Sequence, residues 1–144
     1  MATRNLVEEQ ETFEAGISQW QKMEDATIAS CDEILEATDN KLVTTIAGII
    51  KSDSENHKMV LGVVKETLNG TITLTPDELG ELSGLLEKHR DLEKESVELA
   101  AEQLELSRNF VVSHLVSYLL EDERKHYMLM HQLNDFKKKL YPYA

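Results

Sequence analysis

The sequence predicts an all-α fold, a four-helix bundle made of two antiparallel helical hairpins, and three observations predict it. Two prolines and six glycines are the only strong helix breakers in 144 residues, so long helices can form with few interruptions. Apolar residues recur at gaps of three and four, the period of a helix that buries one stripe. The chain also repeats itself: a shift of 69 positions without a gap pairs Glu24 with Glu93, Asn40 with Asn109, Asp53 with Asp122 and His57 with His126. One domain over residues 1–144 accommodates this, with hairpins at 8–68 and 85–140 and a crossover connection at 69–84.

The first helix is expected from about Glu8 to Ala37, on a stripe of Phe13, Ile17, Trp20, Glu24, Thr27, Cys31 and Ile34. Thr38-Asp39-Asn40 then offers turn and capping chemistry, because short polar side chains bond the backbone N–H groups that a helix start leaves free. The second helix carries Ile46, Ile50, Asp53, His57, Val60 and Val64 on one face and stops at Asn69-Gly70, where glycine suits a left-handed residue. Thr71 to Thr75 alternates like a strand but has no strand to pair with, and reads as an extended connector. Thr75-Pro76-Asp77-Glu78 is a capping box with proline at the first helical position. It opens a third helix that reaches about Leu106 through Leu82, Leu86, His89, Glu93, Ser96 and Ala100. Ser107-Arg108-Asn109 turns the chain into the fourth helix. Its stripe is Leu115, Leu119, Asp122, His126, Leu129, Leu133, Phe136 and Leu140, and Lys137, Lys138 and Lys139 suit its negative end.

A net charge of −12 and a pI near 4.8 argue against nucleic acid and anionic membranes as partners and favour cations. Cys31 is the single cysteine, which excludes a disulfide framework within the chain and any C-x-x-C knuckle. No apolar run has the length of a leader or a membrane span, so a cytoplasmic setting is expected. Partly apolar outer positions such as Ile28, Val43, Ile49 and Val112 point to a homodimer.

Acids and imidazoles interrupt stripes that should be apolar: Glu24, His57, Glu93 and His126, with Glu123 one turn before His126. Burying them unpaired would cost several kcal/mol each, so a counter-charge is expected. Each turn lies midway between the glutamate and histidine of its half, which predicts that each glutamate is level with its partner histidine and that facing hairpins gather all four at mid-height. Parallel second and third helices with level ligands would need a connection of roughly 42 Å, whereas seven extended residues reach about 23 Å. A break at Gly80 or Gly84, leaving Pro76 to Ser83 as a short crossover helix, is the expected relief.

Glu24, His57, Glu93, Glu123 and His126 form a carboxylate-rich set with two imidazoles, the donor mix of iron or manganese rather than of a thiolate-seeking metal. A glutamate and an E-x-x-H pair from separate helices resemble the ferritin-like di-iron carboxylate superfamily, rubrerythrin and bacterioferritin in particular, over roughly Glu8 to Leu140. Asp122-Glu123-Arg124-Lys125-His126 is similar to that family's second metal motif in full, and Asp53-Ser54-Glu55-Asn56-His57 to the first in part. The resemblance implies Glu24 and Glu93 as terminal ligands, Glu123 as a bridging one, and His57 and His126 as one imidazole for each metal. It also implies Asp53 and Asp122 as acids that hold the far nitrogen of each histidine. The implied cofactor is iron, two ions or one, with manganese or zinc as substitutes. The implied chemistry is non-haem ferrous oxidation or peroxide reduction, with dioxygen or peroxide as the oxidant.

Ser54 departs from the family pattern, standing where the other bridging glutamate is expected. His89, one turn before Glu93, is a candidate replacement ligand, and Trp20 is its counterpart in the first half. Two further readings stand beside the oxidoreductase: a non-catalytic metal-binding protein, and a metal-free helical interaction module whose charges are satisfied by a polar network.

Overall fold

The computed structural model describes residues 5–70 and 76–140. They form four helices, α1 (Leu6–Ala37), α2 (Lys41–Leu68), α3 (Pro76–Leu106) and α4 (Phe110–Leu140), with no strand among the described residues. The connector expected at Thr71 to Thr75, the Thr75 cap and the side chains of Lys137, Lys138 and Lys139 lie outside the described residues.

Asparagines start three of the four helices. The Asn5 side chain accepts a hydrogen bond from Val7 N at 3.1 Å and lets α1 begin two residues before the expected Glu8. Asn40 accepts from Leu42 N and Val43 N, at 3.1 and 3.2 Å, and its repeat mate Asn109 accepts from Val112 N at 3.1 Å. Gly70, at φ 71°, takes the left-handed conformation after α2 that the Asn-Gly pair predicts.

Among the described residues the break expected at Gly80 or Gly84 does not occur, and Pro76 to Ser83 is no separate crossover helix: α3 runs unbroken from Pro76 to Leu106. Isolated glycines cost a helix only about 1 kcal/mol each relative to alanine. Glu78, Glu81, Leu82 and Leu85 around them are good helix formers, so nothing local forces a break.

Where the sequence suggests one domain, packing divides the chain into two compact units, Met1–Thr73 and Leu74–Ala144. In the first α1 packs on α2, and in the second α3 packs on α4. The repeated segment is thus itself the packing unit.

Within the first unit the most deeply buried residues are Ile17, Glu24 and Cys31 on α1 and Ala47, Ser54 and Leu61 on α2, spaced by seven on both helices. The turn between Ala37 and Lys41, centred near residue 39, sets the register and places Ser54 level with Glu24. It brings Ile17 level with Leu61, and Cys31 level with Ala47. A second row flanks this one: Lys51 pairs with Asp32 at 2.6 Å, Lys58 with Asp25, and Lys65 donates to Ser18 Oγ at 2.8 Å. Each step of seven up α2 meets a step of seven down α1, so the lysine stems cover the buried row while their ammonium groups stay wet.

Two expected stripes are therefore not the ones that meet the partner helix. On α2 the buried residues lie one position on from those expected, and Ile46, Ile50 and Val60 are exposed. On α4 the most buried residue is Leu120, whereas Leu119, Leu129 and Phe136 remain about half exposed. The recurrence at three and four predicts those faces as the contact. The contact instead uses small residues, Cys31, Ala47 and Ser54, which let two helices approach closely.

Candidate metal centre

The second unit carries the site. Glu93 on α3 and Glu123 and His126 on α4 each direct one ligand-type atom into a group whose members lie within 4.8 Å of one another. His126 Nδ1 is 3.6 Å from Glu93 Oε2 and 3.9 Å from Glu123 Oε2. Two ligand atoms that are each about 2.1 Å from one ion can be at most about 4.2 Å apart, so the imidazole and both acids are already near the spacing an ion would require. Glu123 and His126 share a face of α4 because residues three apart lie one turn above each other. Glu93 comes from the opposite helix at the same height, in the register that Glu24 and Ser54 show in the first unit.

Supporting contacts orient the three. Asp122 Oδ2 lies 3.5 Å from His126 Nε2, the nitrogen turned away from the acids, and so occupies the far-nitrogen position expected for it. His89 Nε2 is 2.9 Å from Glu93 Oε1, which leaves Oε2 of Glu93 to face His126. His89 bonds the outer oxygen of Glu93 and does not join the three-residue group. An open cleft of 310 Å³, lined by His89, Glu93, His126, Leu129 and Met130, gives small molecules a way in.

The two acids shift each other's ionisation in opposite directions. A hydrogen bond from Glu123 holds the Glu93 carboxyl below its ordinary value of 4.5, helped by the nearby His126 and His89 and opposed by burial. The same bond, with burial and the negative charge of Glu93, pushes Glu123 above 4.5. Like charges this close oppose each other's ionisation, and a cation between them would relieve that opposition.

Glu24 and His57, also expected as ligands, are brought together in the first unit but without a second acid. His57 Nδ1 and Trp20 Nε1 both lie 3.1 Å from Glu24 Oε1. Ser54 hydrogen-bonds the same carboxylate and is the largest cause of its lowered pKa. The expectation that each glutamate stands level with its histidine is corrected by one turn. Glu24 is level with Ser54, and Glu93 with Glu123, because the chain turn is centred nearer residue 39 than the midpoint between acid and histidine. Asp53 forms no hydrogen bond or ion pair with His57 among the described residues, so the far-nitrogen role expected of it is filled only by Asp122.

Sequence reasoning missed the part of Trp20 and the lysine row. Both had a signal: Trp20 is the repeat mate of His89, and Lys51, Lys58 and Lys65 recur at seven opposite Asp32, Asp25 and Ser18. No helix among the described residues is long and apolar enough to cross a membrane. Compared with known proteins, the chain matches no family model, no curated protein and no solved structure.

Proposed function

We propose that the chain is a ferritin-like, metal-binding four-helix protein whose ion is held by Glu93, Glu123 and His126. The observation that carries this reading is the convergence of two carboxylates and one imidazole, backed by Asp122 and His89, beside an open cleft. An oxygen-rich set with one nitrogen selects iron or manganese first and tolerates zinc. The antiparallel hairpin part of the reading is supported by cross-helix bonds in which α2 numbers rise as α1 numbers fall.

Iron is the ion assigned first, and ferrous oxidation or peroxide reduction is the chemistry it would supply. In that chemistry the residues of this chain have definite tasks. Glu93 and Glu123 would balance the charge of the ion. Asp122, 3.5 Å from Nε2 of His126, would accept that nitrogen's hydrogen and leave Nδ1 to face the ion. The exposed apolar stripes, Phe13 and Ile34 on α1 and Leu129 and Phe136 on α4 among them, suit self-association into a homodimer in the cytoplasm.

A second reading, metal binding without turnover, is favoured by one observation. Ser54 stands in the first unit where Glu123 stands in the second, so a matched pair of carboxylate-bridged sites is not present in one chain. Protein purified without chelators, analysed for metal and then titrated anaerobically with Fe(II) before peroxide is added, separates the readings. Iron bound with a charge-transfer band that changes on oxidation supports the oxidoreductase; bound but unreactive metal supports the second; no binding at any pH from 6 to 8 overturns both. Glu93→Ala and His126→Ala are each expected to lower metal content at least tenfold, on the order of one lost ligand. His131→Ala, whose ring stacks edge-on against Tyr127 at 4.6 Å, should leave it unchanged.

A further inference from the structure

We propose that Ser54 makes the α1–α2 pair the metal-independent half of the protein, and that the choice of serine at 54 and glutamate at 123 decides where an ion binds. This rests on the metal reading of the α3–α4 pair and goes beyond it. The two pairs share one frame. A glutamate points inward from the first helix of each pair, Glu24 and Glu93, and a nitrogen from the residue four before it bonds its Oε1, from Trp20 at 3.1 Å and from His89 at 2.9 Å. A histidine from the second helix, His57 or His126, stands beside it. Only the residue level with the glutamate differs in charge.

That difference inverts what the site needs. Ser54 is 4% exposed and Glu24 9%; the Trp20 indole N–H and His57 Nδ1 each lie 3.1 Å from Glu24 Oε1, and the Ser54 hydroxyl is the largest influence holding that carboxyl below its ordinary pKa. One negative charge is met by protein donors, so no ion is required to bury it. The donors also block an ion. A serine side chain is shorter than glutamate by two heavy atoms and brings no charge, and an indole N–H can donate but never ligate. In the α3–α4 pair Glu123 replaces the hydroxyl by a second acid, whose carboxylate lies with that of Glu93 and the His126 imidazole in a group within 4.8 Å, a spacing that a cation can bridge. The first pair is thereby a finished polar core and the second an unfinished one.

Equilibrium dialysis against Fe(II) under anaerobic conditions, with helix content followed by circular dichroism, tests this on the full chain. The wild type is expected to bind one ion per chain, S54E two, and E123S none. Chelator-treated E123S should keep its helix content, since serine supplies Glu93 with the donor that Glu24 has. S54A should lower the unfolding midpoint of the chelator-treated protein, and added Fe(II) should not restore it. One ion in folded S54E, or undiminished binding by E123S, would overturn the inference while leaving the metal reading in place. No binding by the wild type would overturn the metal reading and this inference with it. Should S54E fail to fold, E123S alone still decides.

Discussion

Glu123 is the residue whose protonation most affects the α3–α4 pair, and its sign is opposite to that of Glu24. Its folded pKa is raised above 4.5 by the hydrogen bond to Glu93, by burial and by the charge of Glu93. The stability it contributes is therefore fully present below the unfolded value and is lost as pH rises through the raised folded value. Glu123→Gln mimics the protonated form. It should raise the neutral-pH unfolding midpoint of metal-free protein in urea while abolishing Fe(II) binding, and a lowered midpoint would contradict the upward shift of the Glu123 pKa. Glu24 is held below 4.5, first by the Ser54 hydrogen bond and then by His57 and Trp20, against burial. Its contribution is present above 4.5 and is lost as pH falls through the lowered folded value. Glu24→Gln should accordingly flatten the acid limb of the unfolding profile below pH 4.5, as read by far-UV dichroism. At this scale the sequence was informative where a residue broke a pattern, as Glu93, Glu123 and His126 do. It was silent on partners set by register: one turn's error moved the residue level with Glu24 from His57 to Ser54.

Helix ends were legible and helix faces only partly so. Asn40 and Asn109 cap α2 and α4 because an asparagine after a turn has one good use, and the left-handed residue fell at Gly70 as its side-chain-free backbone allows. Asn40→Ala and Asn109→Ala should each lower stability by about 1 kcal/mol in urea denaturation. The continuity of α3 was not legible, since Gly80 and Gly84 read equally well as a break or as tolerated interruptions. Open space surrounds the position of a side chain at either glycine. Gly80→Ala and Gly84→Ala should each stabilise the protein by about 0.5–1 kcal/mol, and a loss of stability would mean that the helix bends there. The faces went astray because a helix with two apolar sides does not say which one meets its neighbour. On α2 the small residues Ala47 and Ser54 won the contact, leaving Ile46 and Ile50 outside.

Taken whole, the chain combines a net charge of −12 with apolar residues left open to solvent, among them Phe13 at 51%, Leu129 at 48% and Phe136 at 48%. Charge repels like copies over a range set by salt, about 10 Å at 0.1 M, whereas apolar contact is little affected by salt of that strength. Self-association should therefore strengthen between 20 mM and 500 mM NaCl in sedimentation velocity, and Phe136→Glu should weaken it. The all-α class and the four helices were plain from composition and period. The division into two compact units was present in the 69-residue repeat, but a repeat alone does not say whether its copies form one core or two.

Trp20 is the sole tryptophan of the chain, and its indole N–H rests on Glu24 with half of the ring in solvent. Excited at the red edge of its absorption, where tyrosine is dark, the protein has a fluorophore in the α1–α2 pair and none in the α3–α4 pair. Light emission and far-UV ellipticity will therefore keep separate accounts of one melting experiment. Stripping the ion should move the ellipticity trace, and the glow from residue 20 should hardly notice.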